Sequence, residues 1–152
     1  MRISAKSDYA IRALAELAAL PPGIPVKAEQ IARSQGISEG FLLGILGELR
    51  RAGLLRSQRG QSGGYALARP AAEISLADVI RAVDGPLAVV REARPEEVSY
   101  SGHAEVLQDV WVAVRVSLRA VLERVTLAHL AAGELPASVR KLTQAADAWT
   151  PR

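Results

Sequence analysis

Chemistry in this chain rests on few side-chain types. Its 152 residues include no cysteine and two histidines, His103 and His129. Disulfides, thiolate zinc sites, cysteine nucleophiles and sulfur-ligated clusters are thereby excluded together. Gly60-Gln61-Ser62-Gly63-Gly64 fits the G-x-S-x-G of a hydrolase nucleophile elbow, but that motif must run from a strand into a helix, and both flanks here read as short strands. No element sets either histidine beside Ser62, and no glycine loop ends in Lys-Ser or Lys-Thr, so an enzyme is not expected. What remains is cationic charge. Residues 1–70 carry ten Lys/Arg against five Asp/Glu, whereas 71–152 carry nine against eleven. The N-terminal half should face a polyanion and the C-terminal half something else.

The elements that position these cations come from periodicity. Apolar residues recur at helical spacing from Ser7 to Leu20 until Pro21-Pro22-Gly23 stops them, and Val26 to Ser34 reads as a short helix ended by Gln35-Gly36. Ser38 is placed to cap a third helix whose apolar face is Phe41, Leu42, Ile45, Leu46 and Leu49, with Gly53 at its end. Helix, tight glycine turn, helix is the pattern of a helix-turn-helix. Leu54 to Gln58 and Gly64 to Ala68 then read as two strands joined by a glycine-rich tip, a wing with Arg56, Arg59 and Arg69 around it. Ile74 to Val83 resumes a helix, broken by Asp84-Gly85-Pro86.

Residues 91–103 show no clean period and read as a loop. Beyond them Leu107, Trp111, Val114, Leu118, Val121 and Val125 alternate four-three spacing, an a/d seam over nearly three heptads, in a helix expected to run some 23 residues and about 35 Å. A helix of that length would overhang a 70-residue domain, so the seam should pair with a second copy. Thr126 begins a short further helix, and the tail after Pro136 is expected to be loosely ordered. The fold class expected is mainly α: a winged helix-turn-helix over 1–87, a loop over 88–102, a dimerisation helix with its short successor over 103–135, and a tail over 136–152. Six aromatic residues against 49% hydrophobic composition suit such helical cores. Residues 1–6 lack a signal-peptide core, and Arg12 and Glu16 interrupt the nearest apolar stretch, so a cytoplasmic protein without membrane contact is expected.

The strings Gly53 to Gly60, Gly63 to Pro70 and Ile74 to Leu87 resemble the Rrf2 family of bacterial transcription regulators, as do Met1-Arg2-Ile3-Ser4 with Lys6 and Tyr9-Ala10, and Trp111 with Thr126-Leu127. The resemblance spans nearly the whole chain. It implies a dimeric winged-helix regulator, expected to repress, binding double-stranded DNA at a partly palindromic operator and often carrying an iron–sulfur cluster as sensor. The family's cluster-binding members hold three cysteines between the post-wing helix and the dimer helix; this chain has none, so no thiolate-ligated cluster or other cofactor is expected. His103 alone, even with Asp8, Glu92, Glu96, Glu97 or Glu105, is a poor metal site. A small-molecule effector, if one exists, would sit near the loop and the domain junction.

In a helix-turn-helix the second helix enters the major groove by its N-terminal end, which places Ser38, Glu39, Gly40 and Leu43 at base edges. Glu39 would accept from a cytosine amino group or simply sit in the helix's positive first turn, and Leu43 would touch a thymine methyl. Family members often carry polar readers where Leu43 and Gly44 stand, so the operator is expected to differ. Arg59 at the wing tip is the candidate for a minor groove. Arg2, Lys6, Arg50, Arg51, Ser57, Gly60, Ser62 and Gly63 are the candidates for phosphate. The alternative is a winged-helix adaptor that binds protein, against which the basic wing argues.

Overall fold

The computed structural model describes residues 2–151. Helix α1 (Ala5–Ala18) begins just after Ser4, whose hydroxyl accepts from the Ser7 N–H at 2.9 Å, two residues earlier than the periodicity predicts. Its buried face is Ala10, Ala13, Leu14 and Leu17. Helix α2 (Ala28–Gln35) ends at Gly36, whose φ of +63° lets the chain reverse while the Ile37 N–H donates back to the Ala32 carbonyl at 2.9 Å. Helix α3 (Glu39–Arg51) follows two residues later and buries Leu42, Ile45, Leu46 and Leu49.

Phe41, expected on that buried face, is 48% exposed. Four residues at i, i+3, i+4 and i+7 already fill the core stripe, and Phe41 lies one 100° step outside it. Its ring instead meets Tyr9 edge-on, with centroids 5.8 Å apart and planes at 85°.

Strands β1 (Leu55–Gln58) and β2 (Gly64–Leu67) pair antiparallel, Leu55 opposite Leu67 and Gln58 opposite Gly64. On its other side β2 exchanges hydrogen bonds with Val26, at 2.9 and 2.8 Å through Tyr65. Backbone therefore closes on Gly64 from both sides: a Cβ there would lie 2.4 Å from the Val26 carbonyl, and φ is +150°. Helix α4 (Leu76–Asp84) opens with a reciprocal cap in which the Ser75 hydroxyl accepts from the Asp78 N–H and the Asp78 carboxylate accepts from the Ser75 N–H. At its far end Asp84 accepts from Ser4 and, at 2.6 Å, from the buried Ser7 hydroxyl, tying α4 to the start of α1.

The 88–102 loop is folded. Val90 and Ala93 pair across a two-residue turn at Arg91 and Glu92, both with positive φ. Pro95 and Val98 are buried. Helix α5 (Leu107–Leu122) has sixteen residues, about 24 Å, shorter than expected because the residues before Leu107 form a 3-10 turn and those after Leu122 turn back. Val125 does not continue the seam: it is 3% exposed, and its carbonyl accepts from the Leu76 N–H at 2.9 Å. Helix α6 (Leu127–Ala132) then packs into the N-terminal core, Leu127 being fully buried. The tail, expected to be loose, carries helix α7 (Ala137–Thr143), against which the Trp149 indole donates to the Thr143 carbonyl at 2.7 Å.

Candidate nucleic-acid interface

Helices α2 and α3, with the turn at Gly36, are held by polar contacts from α1. The Arg12 guanidinium donates to both the side chain (3.0 Å) and the backbone carbonyl of Gln35, and lies 5.4 Å from the Tyr9 ring centre. Glu16 accepts from the Ser34 hydroxyl at 2.7 Å and from the Gln35 amide. Sequence reasoning took Arg12 and Glu16 only as charges breaking an apolar run. Their i, i+4 spacing on the polar side of α1 was the available signal, but the partner 18–23 residues on was not readable.

The clasp leaves the first turns of α3 facing outward. Ser38, Glu39, Gly40, Leu43 and Gly44 are exposed. Ser38 sits at the N-cap, yet its hydroxyl makes no capping bond, and the Leu42 N–H donates to its carbonyl. A Cβ built at Gly40 or Gly44 meets nothing within 4 Å, so no neighbour within the chain requires glycine at either position. At the C-terminal end of the helix Arg50 donates to the Ser57 hydroxyl at 3.1 Å, bringing these two phosphate candidates together, with exposed Arg51 beside them.

Arg59, Gly60 and Ser62 lie exposed at the wing tip, and among the described residues Arg59 has neither a hydrogen bond nor an ion pair. Gly63 is a correction. It is buried, its N–H is spent on the Gly60 carbonyl at 3.0 Å, and a Cβ would fall 2.2 Å from the Gln58 carbonyl oxygen, so it shapes the tip and has no amide to offer a phosphate. Lys6 is engaged with Glu48 of α3 at 2.7 Å. Arg2 lies elsewhere: with Ile3 it borders a cavity of about 490 Å³ lined from α4, α5 and residues 86–90, none of whose walls comes from α3 or the wing.

Of the expected seam, Leu107, Trp111, Val114, Leu118 and Val121 are half-buried on α5. Trp111 is held by its own chain, its indole N–H donating to the Tyr100 hydroxyl at 3.0 Å. Val110, Ala113, Val114, Leu118 and Val121, with Ile3, form one apolar face open to solvent.

The Rrf2 family profile, described as an iron-dependent transcriptional regulator, matches residues 3–133. The chain belongs to the Rrf2 family. It is 51% identical over 142 residues to Rv1287 of Mycobacterium tuberculosis H37Rv, covering 93% of this chain and 88% of that one. It is 33% identical over 131 residues to the HTH-type transcriptional regulator CymR of Bacillus subtilis, covering 86% and 90%. The solved structure of B. subtilis CymR, described as the global cysteine regulator, superposes with a TM-score of 0.74 at 32% identity over 88% of this chain and 98% of that one. T. potens IscR superposes at 0.68, with 31% identity, over 100% and 93%.

This Rrf2 protein is thus an HTH-type, DNA-binding transcriptional regulator and not an enzyme. The residues present do not fit the iron implied by the family description. No thiolate exists anywhere in the chain, and among the described residues no three His, Cys, Asp or Glu converge as metal ligands. No described helix is long and apolar enough to cross a membrane.

Proposed function

We propose that the chain is a homodimeric repressor that acts in the cytoplasm and binds a partly palindromic operator without a sulfur-ligated cluster. The observation that carries this reading is the first two turns of α3. Ser38, Glu39, Gly40, Leu43 and Gly44 are exposed, the side chains of Ser38 and Glu39 make no hydrogen bond or ion pair among the described residues, and Arg50, Arg51 and the wing-tip Arg59 share the same half of the chain. Ser38 and Glu39 supply polar contacts to base edges and Leu43 an apolar one, while the two glycines allow backbone to approach the groove wall. Arg59 suits a minor groove, and Arg50, Arg51, Ser57, Gly60 and Ser62 suit phosphates.

Dimerisation is supported by the open apolar face of α5, which one chain leaves uncovered. Two-fold pairing through Trp111, Val114, Leu118 and Val121 would set half-sites about one helical turn apart.

Selection of duplexes from a random pool at near-physiological salt, alongside sedimentation of the free protein, tests the reading. A two-fold-symmetric motif bound by a dimer is the expected result. A folded dimer that enriches no motif would return the adaptor reading.

A further inference from the structure

On the side of α5 away from the open apolar face, a cavity of about 430 Å³ lies between α4, the 94–96 turn and α5. Four arginines line it: Arg81 from α4, Arg94 from the loop, and Arg115 and Arg119 from α5. One carboxylate, Glu96, shares the wall, and it pairs with Arg115. Glu123 pairs with both Arg81 and Arg119, the latter at 2.9 Å, and Asp78 lies 3.7 Å from Arg81. Three of the four cations therefore have a carboxylate on one side.

The pairing is incomplete. The Arg94 side chain has no hydrogen bond or ion pair among the described residues, although its charge helps lower the pKa of Glu96; its backbone N–H donates to the Glu97 carboxylate and its carbonyl accepts from the Glu97 N–H, both at 2.9 Å. The Nε of Arg115 is buried and unpartnered, the one such side-chain atom among the described residues. A buried guanidinium N–H without an acceptor is costly, and a ligand oxygen is the natural group to satisfy it. Guanidinium forks match carboxylate and phosphate geometry, and the volume is that of a metabolite-sized site.

We propose that this cavity is an effector site for a small molecule bearing two or more negative charges as carboxylate or phosphate groups, held by Arg94 and Arg115 with Arg81 and Arg119 completing the cradle. Its walls join α4, which packs in the DNA-binding core, to α5, which carries the pairing face. An anion there bridges the two and stiffens the angle between them. That regulatory consequence rests on the DNA-binding reading above; binding of the anion does not.

Calorimetry and thermal melting of the full chain without DNA, titrated with inorganic phosphate or citrate at constant ionic strength set by sodium chloride, test the site. Saturable heat and a saturable rise in melting temperature with at least one probe are expected. Arg94→Ala, at an exposed loop position whose side chain makes no hydrogen bond or ion pair among the described residues, should weaken that probe at least tenfold, as should Arg115→Gln. Arg140→Ala on α7 should respond as wild type. The proposal is overturned if neither probe acts beyond the chloride control, if Arg94→Ala responds as wild type, or if Arg140→Ala loses the response equally.

Discussion

Gly44→Ala separates the needs of the free protein from those of its DNA complex. Gly44 is the sixth residue of α3, inside the helix, where glycine costs about 1 kcal/mol relative to alanine. A Cβ there meets nothing within 4 Å, so no clash subtracts from that gain. The variant should be more stable by about 1 kcal/mol, a rise in melting temperature of roughly 2–4 °C for a chain of this size. On the proposed docking, the same methyl would point from α3 toward the groove. If backbone at Gly44 closes on DNA, operator affinity should fall by about tenfold or more, equivalent to about 1.4 kcal/mol. Melting at fixed protein concentration and anisotropy titration of a labelled operator duplex read the two effects separately. Greater stability with unchanged affinity would refute the placement of Gly44 at the DNA. A lower melting temperature would refute the open surroundings on which the argument stands.

Arg59→Ala should cost about 1–3 kcal/mol of operator binding with no change in melting, because the exposed side chain makes no hydrogen bond or ion pair among the described residues; unchanged affinity and salt dependence would dismiss it as a groove contact. Val114→Asp puts a charge in the middle of the open α5 face and should yield a folded monomer by sedimentation, whereas a persisting dimer would move the interface elsewhere. Leu127→Ala, beyond the expected seam, should destabilise by about 2–5 kcal/mol in denaturant titration, since the side chain is fully buried in the core with α1. Hydrogen bonds from Arg81 and then Arg119 hold the Glu123 carboxyl below its ordinary 4.5. Its stabilising contribution is therefore complete above pH 4.5 and lost as pH falls through the folded value, so Glu123→Gln should flatten that acid limb of a urea-midpoint profile.

The helix-turn-helix and wing were legible because their signals are local. Gly36 breaks the chain between two amphipathic segments, and the glycines of the tip sit between two short apolar runs. Where the reading failed, the deciding contact was one that residue type and periodicity do not encode. Gly63 looked like a free tip amide, but its position is set by the backbone of Gln58 and Gly60. Lys6 looked like a phosphate ligand until α1 packed beside Glu48. Val125 kept the heptad count, yet periodicity reports only that a residue is buried, not which partner buries it. The clasp of Arg12 and Glu16 on Gln35 had no local signature, because a polar residue on a helix's outer side reads as solvated until a second helix arrives.

Val125 also changes what α5 is. Had the seam continued, α5 would be a dimer arm hung from an independent DNA-binding domain. Instead the chain turns at Val125, and Leu76 and Ile74 at the start of α4 exchange backbone hydrogen bonds with Val125 and Leu127, at 2.9 and 3.0 Å. Leu127 then enters the same core as Leu14, Leu46 and Val79. Both ends of α5 are thereby restrained, one by the 95–97 turn through Gln108 and Arg115, the other by α4 and α6. On the proposed pairing, a rotation of α5 would pull on α4 through these backbone hydrogen bonds and on the core through Leu127. The elements that would read DNA and those that would pair two copies share one core, so any ligand that shifts the α4–α5 angle acts on both.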